Sequence, residues 1–147
     1  MAFALRQQNI KENDMGTRAV YTFKDDHDSF SVYKHYDGYP EGEGGGSGAF
    51  GFIKEATKYA WDLPRFDPSD FAAAFIKANK DAGGDVYLTH GPESHGDLSY
   101  RYEISRHGND LIVKTFEAVD WTFGTDDHQK FIEIGKKVWS PEYLKNS

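Results

Sequence analysis

From Arg18 to Tyr36 the chain alternates between apolar and polar positions with the two-residue period of a strand. β-Branched and aromatic residues run from Arg18 to Lys24 and again from Ser29 to Tyr36, and Asp25-Asp26-His27-Asp28 between them supplies turn chemistry, so the segment predicts a hairpin. With the turn centred between Asp26 and His27, Arg18 faces His35, Val20 faces Tyr33 and Thr22 faces Ser31 on one side of the ribbon. Ala19, Tyr21, Phe23, Phe30, Val32, Lys34 and Tyr36 fall on the other, more apolar side, which is expected to meet the core. A turn one residue longer or shorter changes this pairing.

The period then lengthens. After the glycine-rich stretch Glu41-Gly-Glu-Gly-Gly-Gly-Ser-Gly48, the residues Ala49, Phe52, Ile53, Ala56, Tyr59 and Ala60 recur at helical spacing and predict a first helix reaching Trp61. Asp67-Pro68-Ser69-Asp70 combines an N-cap, a proline at the first helical position and an acid in the first turn. Phe71, Ala74, Phe75 and Ala78 then give a second helix an apolar stripe, ending near Gly83-Gly84. Strand patterning returns over Asp85 to Thr89, Ser99 to Ser105 and Leu111 to Val119, with Gly108-Asn109 marking a tight turn. Pairing Glu103 with Lys114 and Ile104 with Val113 sets charge against charge and apolar against apolar, which supports that register. The tail from Thr125 reads as a capped helix through Phe131, Ile134, Gly135 and Val138, with a strand over Phe131 to Ile134 as the competing reading.

These elements predict an α+β fold: a single domain with a mainly antiparallel sheet of about five strands and two to three helices packed mostly on one face. Residues 1–14 read as a polar leader or arm ahead of a domain over residues 15–147, with Met15 itself a possible natural start. No internal repeat and no second-domain linker interrupts the order.

Composition narrows the classes. A length of 147 residues is enough to bury one core, and 11 Phe, 9 Tyr and 3 Trp compensate for an apolar fraction of only 38%. The net charge of −7 repels phosphate backbones and anionic lipid surfaces, so general nucleic-acid binding is disfavoured, while docking on a basic partner is not. With 0 Cys, disulfides, thiolate zinc sites and cysteine nucleophiles are excluded. No window approaches the ~20 apolar residues of a membrane span, and the start lacks a signal peptide's apolar stretch, so the expected location is cytoplasmic with no membrane partner.

Several motifs carry less than they first suggest. Gly46-Ser-Gly-Ala-Phe-Gly51 matches G-x-G-x-x-G, but the strand before it belongs to an antiparallel hairpin and ends well upstream, so a flexible loop is favoured over a nucleotide cradle. Simple anion binding at that helix start stays open. His90 and His95 flank a loop that also holds Glu93 and Asp97, yet neither a helical His pair nor a Cys partner supports a metal; no metal and no cofactor is expected. Asp25, Asp26 and Asp28 lack EF-hand spacing, and Ser47, Ser94 and Ser99 sit in no nucleophile elbow.

The candidate site is Thr17, Arg18, His35, Asp37 and Tyr39, joined by Gly48 at the helix start. Arg clamps phosphate or carboxylate with parallel hydrogen bonds, His exchanges a proton near neutral pH, and Asp orients that His or accepts from a ligand hydroxyl. The opposing reading is structural: an Arg18–Asp37 ion pair braces the hairpin end, Asp37-Gly38 turn the chain, and Tyr39-Pro40 pack. Both stay open at this point.

Met15-Gly-Thr-Arg-Ala19 leading into a strand, followed by Tyr33-Lys-His-Tyr-Asp-Gly-Tyr-Pro-Glu-Gly42, resembles a group of small uncharacterised phage and bacterial proteins with an MGTR start and a Y-x-H-x-D-G-Y-P segment. The resemblance implies a phage or prophage setting, hence a host cytoplasm, more than it implies a reaction. In that group the strand often starts at the N-terminus, so residues 1–14 are a departure. Three roles follow for an accessory protein of this kind. The first is binding of an anionic, nucleotide-like small molecule at the hairpin end. The second is an acidic inhibitor of a host defence complex, anti-CRISPR-like or mimicking nucleic acid. The third is a phosphoesterase that uses His35, with Asp37 orienting it. Binding or inhibition is favoured over turnover, because no second histidine motif of a two-histidine phosphoesterase is visible.

Overall fold

The computed structural model describes residues 16–41, 48–122 and 125–147. The leader, Met15 and the Gly46-Ser47 half of the glycine motif lie outside the described residues. The elements run β1 (Ala19–Lys24), β2 (Ser29–Lys34), α1 (Ala49–Ala56), α2 (Pro68–Asn79), β3 (Val86–Thr89), β4 (Tyr100–His107), β5 (Asp110–Ala118), β6 (Phe131–Trp139) and α3 (Pro141–Lys145), with a short 3-10 turn at Pro92–Ser94. The strands form one six-stranded sheet in the order β3-β2-β1-β4-β5-β6, one strand more than the patterning suggests. Every neighbouring pair is antiparallel except β1 and β4, which run parallel. No helix of the described residues is long and apolar enough to cross a membrane.

The hairpin register is the one the alternation predicts: Ala19 pairs with Lys34, Val20 with Tyr33 and Thr22 with Ser31, and the last two join hydroxyls at 2.8 Å. Ala19, Tyr21, Phe23 and Val32 are fully buried against the helices. Phe71, Ala72, Ala74 and Phe75 are the buried face of α2, and its two alanines let the helix come close enough for Phe75 to reach Tyr21 at 4.5 Å between ring centroids and Phe71 to reach Phe23 at 5.4 Å. Rings this size remove large apolar areas from water, which makes this layer the main stabilising core. The register of β4 on β5 also agrees, with Glu103 opposite Lys114 and Ile104 opposite Val113.

Three expectations need correction, and a fourth, the N-cap at Asp67, holds in position but without its side-chain bond. The first helix stops at Ala56 rather than Trp61, because Thr57, Lys58 and Tyr59 donate their N–H groups three residues back and the Thr57 hydroxyl takes the Lys54 carbonyl at 2.6 Å, tightening the last turn. Asp67 stands at the α2 N-cap but makes no side-chain cap hydrogen bond; its carboxylate pairs with Arg65 at 3.1 Å. That helix ends at Asn79, whose amide donates to Phe75 O and Phe52 O. The tail helix is a nine-residue strand, β6, with only the short α3 after it. A bulge opposite Thr115 and Phe116 shifts the register partway along β6, so the strand's period of two is broken in the middle and its apolar positions mimic helical spacing.

The second face of the sheet is not the open polar side that the hairpin pattern suggests. Val20 and Tyr33 are buried there under Leu98, with Phe131 packed alongside. Leu98 belongs to the loop between β3 and β4, and Gln129 holds it: the Gln129 side chain accepts from Leu98 N at 2.8 Å and donates to Leu98 O at 3.0 Å and to Asp120 O at 2.8 Å.

Candidate functional site

Once β3 pairs with β2, Tyr87 lies directly across from Tyr33, and the loop that follows folds over the same face. The result is a stack of three rings: Tyr33 lies between Tyr87, at 4.8 Å, and His95, at 4.7 Å with its ring nearly parallel. Arg18 and His35 stand beside it. Arg18 Nε donates to His35 Nδ1 at 3.4 Å, the Tyr33 hydroxyl meets the same nitrogen at 2.8 Å, and Arg18 Nη1 pairs with Asp97 at 3.4 Å. The Thr89 hydroxyl holds His95 Nε2 at 2.9 Å.

These contacts decide a tautomer. A guanidinium has no lone pair to accept with, so His35 Nδ1 must be the acceptor, and the proton of neutral His35 sits on Nε2. The single Nδ1 lone pair then takes the Tyr33 hydroxyl at 2.8 Å as its hydrogen-bond donor, with the longer Arg18 contact at 3.4 Å keeping a proton off that nitrogen by its charge. Burial, followed by the Arg18 charge, pulls the His35 pKa down, and burial does the same to His95 against the opposing charges of Asp97 and Glu93. The Tyr33 phenol is pushed up to about 12, first by burial and then by Asp97, so it keeps its proton. At neutral pH this cluster offers donors: His35 Nε2–H and the Arg18 guanidinium.

Of the residues singled out by sequence, Arg18 and His35 come together and the others go elsewhere. Asp37 adopts a left-handed conformation at φ 61, and no hydrogen bond or ion pair joins it to Arg18 or His35 among the described residues. Its charge acts instead toward the helix-bearing face, where it raises the Tyr21 phenol behind the larger effect of burial and opposes the burial that lowers Lys34. Lys34, only 7% exposed, donates to Tyr36 O at 3.1 Å and lies over the Phe52 ring.

Thr17, Gly38, Tyr39 and Gly48 use their backbones. Gly38 N donates to Thr17 O at 2.7 Å, and Gly38 O accepts from the Tyr102 hydroxyl at 2.5 Å. A Cβ on Gly38 would lie 2.7 Å from Ala19 Cβ, which accounts for glycine there. The carbonyls of Tyr39 and Pro40 accept from Ala49 N and Phe50 N at 2.8 and 3.0 Å, so two of the N–H groups that open α1 are already taken and the anion site considered there loses donors.

The residues that complete the cluster were visible but unplaced. His95 and Asp97 sit in the loop weighed above as a metal set; the structure stacks His95 on Tyr33 and leaves His90 exposed, and among the described residues no three His, Asp or Glu gather as a metal site. Beyond Asp97 the loop opens into a cleft of about 570 Å³ whose walls include Glu93, Asp126 and Asp127. The strand pairing that brings Tyr87 to Tyr33 has no local signature in the sequence. Set beside protein-family models, curated proteins and solved structures, the chain matches none; what its fold and cluster define is an α+β protein with a donor-lined aromatic site.

Proposed function

We propose that this protein binds a small anionic ligand with a planar ring, nucleotide-like in chemistry, at the cluster formed by Arg18, Tyr33, His35 and Tyr87. The observation that carries the reading is the convergence of Arg18 and Tyr33 on His35 Nδ1, which leaves a neutral imidazole with a proton on Nε2. Such a group donates to the acceptor oxygens of a ligand, and Arg18 adds charge to the same end. Tyr87, 43% exposed, carries the outer ring of the stack, and a heteroaromatic base extends it. The same tautomer argues against the phosphoesterase reading, because a general base needs a free lone pair where this His35 presents a proton.

Thermal-shift and calorimetric screening of nucleotides tests the proposal, with Tyr87→Ala and Arg18→Ala compared with the parent. Removing Tyr87 is expected to weaken a hit by about 1–3 kcal/mol, the usual worth of one stacked base. A hit bound equally well by both variants overturns the assignment. A second reading, docking on a basic protein partner such as a nucleic-acid-binding defence complex, draws support from the acidic cleft walls Glu93, Asp97, Asp126 and Asp127. It predicts a salt-sensitive complex that survives Tyr87→Ala and fails on charge removal at Asp126 and Asp127.

A further inference from the structure

β6 forms one rim of the sheet, and it is an unusually open one. It is nine residues long, with Ile132, Ile134 and Val138 exposed at 54%, 46% and 53%. The opposite rim, β3, has only four residues. A long edge strand with apolar side chains is a template for another strand unless something covers it.

The charges along this rim suggest what does. Lys136 stands directly across from Lys114, while Lys114's other neighbour is Glu103, itself paired with Lys24 at 3.6 Å and Arg101 at 2.8 Å. Like charges facing each other across strands are destabilising, and an acid placed beyond Lys136 relieves the pair.

β6 carries that acid itself, and the bulge puts it on the right face. In a regular strand Glu133 and Lys136 point to opposite sides of the sheet. Here the register shift sets Glu133 across from Phe116 and Lys136 across from Lys114, and those two partners, two apart on β5, share a face. By the same reasoning Phe131 and Val138, across from Ala118 and Ile112, share that face, and Ile132 and Lys137, across from Glu117 and Val113, share the other.

We infer that two copies of this chain pair antiparallel through β6, about a two-fold axis between Ile134 and Gly135, to form one continuous sheet. In that register Glu133 of each copy meets Lys136 of the other, Phe131 meets Val138, and Ile132 lies along the stem of Lys137. Every contact occurs twice; Glu133, Lys136, Phe131, Val138, Ile132 and Lys137 each meet a partner on their own face, while Ile134 lies at the axis opposite Gly135. The bulge on the axis is what makes the pattern self-complementary. Because the interface is isologous it closes on itself, which uses up the long edge without growth into fibres.

The test is solution mass by light scattering or sedimentation over a concentration series reaching high micromolar, for the parent and for Glu133→Lys and Lys136→Glu. Both positions are exposed, and circular dichroism verifies that each variant keeps the fold. The parent is expected to give a dimer mass at high concentration. Each single reversal turns two attractions into two repulsions and is expected to raise the dissociation constant about tenfold or more. An equimolar mixture of the two variants is expected to recover the dimer. In that mixture the Glu133→Lys chain presents only positive charge at the two positions and the Lys136→Glu chain only negative, so every charged contact of the mixed pair is attractive. A monomeric parent, single variants as dimeric as the parent, or a mixture that stays monomeric each overturns the proposal.

Discussion

Gln129 is the residue on which the second face depends, and replacing it with leucine isolates that dependence. Leucine fills most of the same volume but cannot bond, so Leu98 loses the acceptor of its N–H and the donor to its C=O, both inside a site where Gln129 is only 8% exposed and Leu98 fully buried. A buried backbone group left unsatisfied costs about 1–3 kcal/mol, so the two together cost about 2–6 kcal/mol; the third bond, to Asp120 O, is only part-buried and water replaces it. Against a typical net stability of about 5–15 kcal/mol, this removes a large share, and at about 2–4 °C per kcal/mol the melting temperature falls by roughly 4–24 °C. Thermal melting by circular dichroism reads the global term, and hydrogen exchange at Leu98 reads the local one. The loss is expected to reach the loop that carries His95 and Asp97, so His95 should leave its stacked position over Tyr33. A Gln129→Leu protein that melts within about 1 °C of the parent and keeps Leu98 protected would show that the amide clamp does not hold the loop, and the worked magnitude would be wrong.

Gly38→Ala drives a methyl group to 2.7 Å from both Ala19 Cβ and Thr17 O, so it is expected to cost stability by about 1–3 kcal/mol, measured as a lower urea midpoint; an unchanged midpoint means the segment relaxes freely. The pH dependence follows from the two imidazoles. His35 and His95 hold a proton less tightly folded than unfolded, so the unfolded chain protonates first: their contribution is fully present above the ordinary value of 6.5 and is lost as pH falls below it toward their lowered folded values. Urea midpoints should therefore decline between neutral pH and mild acid, and a chain carrying His35→Gln and His95→Gln should show a flatter limb; equal slopes refute the assignment.

The hairpin and the β4–β5 pair were legible because each is local: one turn fixes each register, and cross-strand pairs such as Glu103–Lys114 and Ile104–Val113 check it. α2 was legible for the same reason, through Pro68 and the apolar stripe at Phe71, Ala74 and Phe75. What escaped is non-local. The parallel pairing of β1 with β4 and the pairing of β2 with β3 join segments far apart in the chain, and it is these that cover the second face and bring Tyr87 and His95 to Tyr33. Half of the candidate site follows from this difference. Arg18 and His35 meet because one hairpin places them, whereas Asp37 sits one residue beyond Tyr36, in a left-handed turn that aims it elsewhere, and the carboxylate beside Arg18 comes from Asp97 on a distant loop.

Strand order also keeps the two proposals separable. The donor cluster lies where Arg18 leads into β1, on β2 and β3 and in the loop over them, while the pairing edge is β6, with β4 and β5 between it and β1, so that β6 lies about 14 Å from β1 at about 4.8 Å per step. Glu133 and Lys136 therefore lie well beyond a Debye length of about 8 Å from Arg18, and their reversal leaves the electrostatics of His35 essentially unchanged. Ligand affinity measured on the monomeric Glu133→Lys chain should match that of the parent at equal occupancy. If it fell instead, the cluster would need the second copy to be complete, and binding and assembly would be one event rather than two.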